Sequence, residues 1–201
     1  MKQTIRLDVF ETNSSSEHSL VIKDGNDNFY TQEEVRQELQ KHMIKDKIDF
    51  RSANTYEDLL LFSRAPFAIL TTYFDKLRYV LAHRNYMWDD ERYSEFNNYI
   101  CDKYGIRFTF MFDKGHWDDN SDYHGEVDHQ SQDLLNEVFM KLNYSFDNFD
   151  DIDKFLCNKK YGIIIDGDEY CITDSYKQSG LIKGKIYTNY DLRGVEDNEL
   201  L

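Results

Sequence analysis

The sequence predicts an α+β domain: a small mixed or antiparallel sheet built from N- and C-terminal strands, with helices packed on one face. Three observations support this. Short runs with apolar residues at every second position or in a compact block lie near both ends of the chain, at IRLDVF, SLVIK, GIIID and EYCIT. Between them lie segments with helical apolar spacing, several opened by capping signatures. No Pro-rich or low-complexity stretch divides them, Pro66 being the sole proline, so residues 1–201 read as one domain.

The elements follow in order. IRLDVF (5–10) sets Ile5, Leu7 and Val9 on one face of a strand, and SLVIK (19–23) is a second short strand. DGNDN (24–28) is a turn. Thr31-Gln-Glu-Glu34 is a capping box for a helix over 31–46 that carries Val35, Leu39, Met43 and Ile44. Thr55 opens a second helix bearing Leu59 to Phe62. Pro66 suits the first turn of a third, over 66–84, whose broad apolar face (Phe67, Ile69, Leu70, Tyr73, Phe74, Leu77, Val80, Leu81) marks it as central to the core. A fourth helix is expected over 89–103, with Gly105 as its stop. IRFTFMF (106–112) alternates as a strand, and a polar segment over 113–130 reads as a mobile acidic loop. Helices are expected over 131–143 and 148–158. GIIID (162–166), the Asp166-Gly167 turn and EYCIT (169–173) form a hairpin, and KIYTNY reads as a last strand.

Composition excludes several function classes. Hydrophobic residues at 40% and aromatics at 15% supply a core. The formal charge of −14, with no large Lys/Arg cluster, disfavours direct binding to nucleic acid. Acidity of this size serves solubility, metal binding by carboxylates, or mimicry of nucleic acid toward a basic protein. Cys101, Cys157 and Cys171 are odd in number and widely spaced, which reads as reduced, buried thiols. No apolar run reaches membrane-spanning length and MKQTIRLDVFETN lacks the apolar core of a secretory signal, so the expected location is the cytoplasm.

Chemistry can reside in two polar segments. In ETNSSSEH (11–18), Thr12, Asn13, Ser14, Ser15 and Ser16 offer hydroxyls, an amide and backbone N–H groups that can cradle an anion. Glu11 can orient His18, and His18 can act as general base toward Ser15, Ser16 or water. The plain alternative is a polar turn that caps its own backbone. In GHWDDNSDYHGEVDHQS (115–131), three of the six histidines stand among carboxylates, the ligand mix of zinc, manganese or iron. His124, Asp128 and His129 are the candidate ligands of a divalent metal; the alternative is an exposed acidic loop, because the spacing matches no standard motif. Gln130 and Ser131 fall at a helix N-terminus, which favours an anion. Asp166 and Asp168 are explained by their turn. His42 and His83 read as surface or core residues on helices.

VFETNSSSEHSLVI resembles an N-terminal signature of largely uncharacterised proteins of bacteriophages and low-GC bacteria. These carry F-E-T-N-S-S-S-x-H-S near residue ten and often a later G-x-x-D-H-Q-S. Here the segments are Phe10 to Ser19 and Gly125 to Ser131, about seventeen of 201 residues. The resemblance implies a phage or mobile-element source and no established reaction. It also links the two polar segments, implying that His18 and the Asp128-His129 pair share one site, with Ser19, Gln130 and Ser131 as substrate-binding candidates. Two functions follow. The first is an enzyme, a hydrolase or transferase acting on a phosphorylated or nucleotide-like small molecule through its Ser, His and carboxylate groups. The second is a non-catalytic acidic protein that binds a basic host protein, inhibiting a nucleic-acid-binding defence factor, with the motif residues as a structural brace.

Overall fold

The computed structural model describes residues 17–49, 68–83, 89–111, 116–117, 123–124, 127, 131, 133–166 and 183–194. The expected strand at 5–10, the helix opened by Thr55 and the second arm of the hairpin at 169–173 lie outside these residues.

The fold is α+β. Strand β1 (Glu17–Ile22) is central in a four-stranded sheet of order β4-β8-β1-β9, with β4 Ala68–Leu70, β8 Tyr161–Asp166 and β9 Lys185–Thr188. Every pairing in it is antiparallel, so strands from both ends of the chain make one sheet, as expected. Alternation sorts its residues. Leu20 and Ile22 pair with Ile163 and Tyr161 on the face that joins the main core. Val21 and Ile164 form a small cluster with Ile186 on the other.

The helices are α1 (Gln32–Lys41), α2 (Tyr73–Leu81), α3 (Asp90–Tyr104), α4 (Asp133–Lys141), α5 (Phe149–Cys157) and α6 (Asn189–Gly194). The capping box of α1 forms as read: Thr31 Oγ1 accepts from Glu34 N at 3.2 Å while Glu34 Oε2 accepts from Thr31 N at 2.7 Å. Gly105 ends α3 in the left-handed conformation, φ 62°. Helix α2 is the core helix that the sequence predicts, with Tyr73, Leu77, Tyr79, Val80 and Leu81 all buried. Among the described residues no helix is long and apolar enough to cross a membrane.

Several boundaries differ from expectation. The strand expected at 19–23 begins at Glu17 and so carries His18 out of the polar loop, and of the strand expected at 106–112 the described strand is Thr109–Met111. The helix at 31–46 stops at Lys41, because Met43–Ile44 (β2) folds back through a tight turn, with Lys45 at φ 62°, onto Lys47–Asp49 (β3). Strand β3 also pairs in parallel with β5 (Thr109–Met111), and Ile48 is fully buried. The helix at 66–84 begins at Tyr73, because Ala68–Leu70 pairs with β8 and Thr72 caps Asp75 N at 3.0 Å. A short apolar run of this kind is compatible with either strand or helix; sheet pairing decides it. Within the expected acidic loop, His116–Trp117 (β6) pairs with Tyr123–His124 (β7). The final strand ends at Thr188, whose Oγ1 accepts from Asp191 N at 3.2 Å and opens α6, carrying the buried Leu192.

Candidate functional site

Strand alternation places His18 on the inner face of β1, opposite Ile165, and Ser19 on the outer face, opposite Ile164. The two adjacent motif residues therefore diverge. The His18 ring is fully buried, and its Nδ1 shares a 2.7 Å hydrogen bond with the Tyr79 hydroxyl on α2. The rings meet edge to face, 5.4 Å between centroids. Burial lowers the His18 pKa to about 3, so the imidazole is neutral. A neutral imidazole has one donor and one acceptor nitrogen, and a tyrosine hydroxyl can serve either.

The backbone of His18 makes the link to the second segment. Strand β9 ends opposite Ser19, so β9 offers no partner to His18. The His18 N–H donates instead to Ser131 Oγ at 3.2 Å. Ser131 is buried, and its carbonyl accepts from Leu134 N at 3.1 Å, tying it to the first turn of α4. Val127, also buried, donates its N–H to Ala82 O at 3.1 Å, at the end of α2. The chain is thus anchored at 127 and at 131, on either side of Asp128-His129-Gln130. The two polar segments meet at His18 and Ser131.

The remaining candidates divide simply. Glu11, Thr12, Asn13, Ser14, Ser15, Ser16, Asp128, His129, Gln130 and Asp168 lie outside the described residues. His124 is described by its backbone alone, in register with His116. Among the described residues no group of three or more His, Cys, Asp or Glu side chains could hold a metal ion. His83 is buried, edge-on to Phe146, and His42 stacks on Phe74 at 3.6 Å between ring centroids. Cys101 and Cys157 are free, buried thiols.

A second buried polar cluster escaped sequence reasoning. The Asp153 carboxylate, on α5, accepts from Tyr73 Oη at 2.7 Å and from Tyr104 Oη at 2.8 Å, and pairs with Lys103 Nζ at 3.0 Å. Cys157 Sγ lies 3.3 Å from Tyr104 Oη. Burial, followed by the charge of Asp153, raises both tyrosines and pushes the Cys157 thiol up to about 12. Every group around the carboxylate therefore keeps its proton. The cluster binds α2, α3 and α5 together and presents no activated nucleophile. Its sequence signal is faint: Tyr73 and Tyr104 read as core aromatics, and Asp153 is one of several acids in DNFDDID.

Four acidic residues stand together near the starts of α3 and α5. A cleft of about 260 Å³ is lined by Asp89, Glu91, Arg92, Glu95, Asp147 and Phe149, none of them from either motif. Arg92 Nη1 pairs with Asp147 Oδ1 at 2.7 Å.

No family model, curated protein or solved structure matches this chain.

Proposed function

We propose that this chain is a non-catalytic, acidic binding protein whose Ser/His motif braces the fold, and whose partner is a basic, nucleic-acid-binding protein. The observation that carries this reading is the burial of the motif's described side chains. His18 is fully buried and Ser131 is 3% exposed, each hydrogen-bonded within the fold. A general base or substrate ligand must reach a substrate. A brace must be closed, with its polar groups satisfied, because an unpaired buried polar group costs about 1–3 kcal/mol. The charge of −14 supplies the binding potential, steering a basic partner from a distance. In a phage or mobile element such a protein would occupy the nucleic-acid groove of a host defence factor.

The test is displacement of a labelled duplex from basic nucleic-acid-binding host proteins. The expected result is displacement by the wild type that weakens at high salt, is lost in E91K/E95K/D147K and persists in Ser131→Ala. Displacement by none of these proteins at low salt would end this reading.

One observation favours the enzyme instead: the two polar segments converge at His18 and Ser131. A phosphorylated or nucleotide-like ligand, or a divalent cation, would then raise the melting temperature of metal-stripped wild type. The same ligand would leave folded Ser131→Ala unchanged.

A further inference from the structure

Lys76 is a lysine on the apolar side of α2, between Tyr73 and Val80, and it is fully buried. Its Nζ donates to Phe155 O at 3.1 Å and to Asn158 O at 2.8 Å, and lies 5.4 Å from the centre of the Phe155 ring. These acceptors are carbonyls at the end of α5, which favour a cation but do not neutralise one. No ion pair to Lys76 is present among the described residues. A buried ammonium without a counter-ion strongly disfavours its own charged form.

The turn that Lys76 holds is where the loop after β1 docks. Lys23 N donates to Lys160 O at 2.9 Å, Tyr30 N to Cys157 O at 2.8 Å and Lys159 N to Asn28 O at 2.6 Å. Asn158 Nδ2 donates to Asp27 Oδ1 at 3.1 Å, and Phe29 bridges to Asn158. An opening at the Asn158 turn would remove one of the two acceptors of Lys76 and undock this loop.

We propose that Lys76 is a pH-responsive latch: neutral, it lets the loop at residues 23–30 stay docked on the turn after α5; charged, it favours release of that loop to hydrate the ammonium. The ionisable groups around it agree. Burial, the largest cause, lowers its pKa to about 7. The Cys157 thiol on α5 keeps its proton and offers no counter-charge, and Lys23 beyond β1 lowers the Lys76 pKa further. Asp27 is turned toward Asn158 and Lys160, and Asp153 toward Tyr73, Tyr104 and Lys103. The folded pKa lies below the ordinary lysine value of 10.5, so docking is fully favoured above that value and loses support as pH falls through about 7.

Amide hydrogen exchange of the full chain, corrected for intrinsic rate, tests this at Lys23, Tyr30 and Lys159. Above pH 7 the wild-type protection of these amides should rise roughly tenfold per pH unit, in step with one proton lost on closing. In Lys76→Met that rise should disappear. Equal pH dependence in the two proteins overturns the latch. Should Lys76→Met fail to fold, titration of the Lys76 side chain by NMR decides: a midpoint near 7 supports the latch, and one near 10.5 overturns it.

Discussion

The charge state of His18 follows from its position on β1. A residue two places before Leu20 on a strand faces the same core, and a histidine there loses the water that would stabilise its cation. Its folded pKa, about 3, lies below the ordinary 6.5. The stability it contributes is fully present above 6.5 and is lost as pH falls toward 3, because the unfolded chain takes up a proton that the folded chain refuses. Between those values the wild type should lose about 1.4 kcal/mol per pH unit more than His18→Gln, measured by urea unfolding at several pH values. Equal slopes would mean that His18 reaches solvent, and would return it to the list of catalytic candidates. In the sequence His18 falls in the polar loop, one residue before the strand expected at 19–23, so its burial on a strand that begins at Glu17 was not legible. Nor was Tyr79, because the pairing of β1 with α2 joins residues sixty-one positions apart.

At the scale of elements, local capping was readable and sheet membership was less so. Thr31 to Glu34 and Gly105 act through neighbours a few residues away, and each does what the sequence implies. Ala68–Leu70 carries the same apolar character in a helix or a strand, and becomes β4 because β8 offers an edge. Gly184 shows how closely β9 fits. It has φ 125°, and an added Cβ would collide with the Ile22 carbonyl oxygen. Gly184→Ala should cost at least about 2 kcal/mol, through strain and displacement of β9 from β1. Thermal melting checks this. An unchanged melting temperature would show that β9 is dispensable to the sheet.

For the whole molecule, net charge is the dominant long-range term. The described ion pairs are mostly exposed, such as Arg107 with Asp102 at 3.0 Å, and pairs of that kind contribute little. Self-repulsion of fourteen excess negative charges works against the compact state. Raising salt from about 10 mM to about 150 mM shortens the screening length from roughly 30 Å to roughly 8 Å. The melting temperature should therefore rise over this range. A fall would show that native ion pairs outweigh the repulsion, and would weaken the acidic surface as the carrier of binding.

The sequence by itself determined the α+β class, the helices with their own caps and the central place of α2. These depend on periodicity and on contacts within a turn or two of chain. Tertiary structure decided that His18 is sealed, that Ser19 faces away from it, that Ser131 receives its backbone amide, and that Lys76 and Asp153 are buried. Each of these depends on what a side chain meets after distant segments pack. Burial then sets the protonation state, and protonation sets what the group can do.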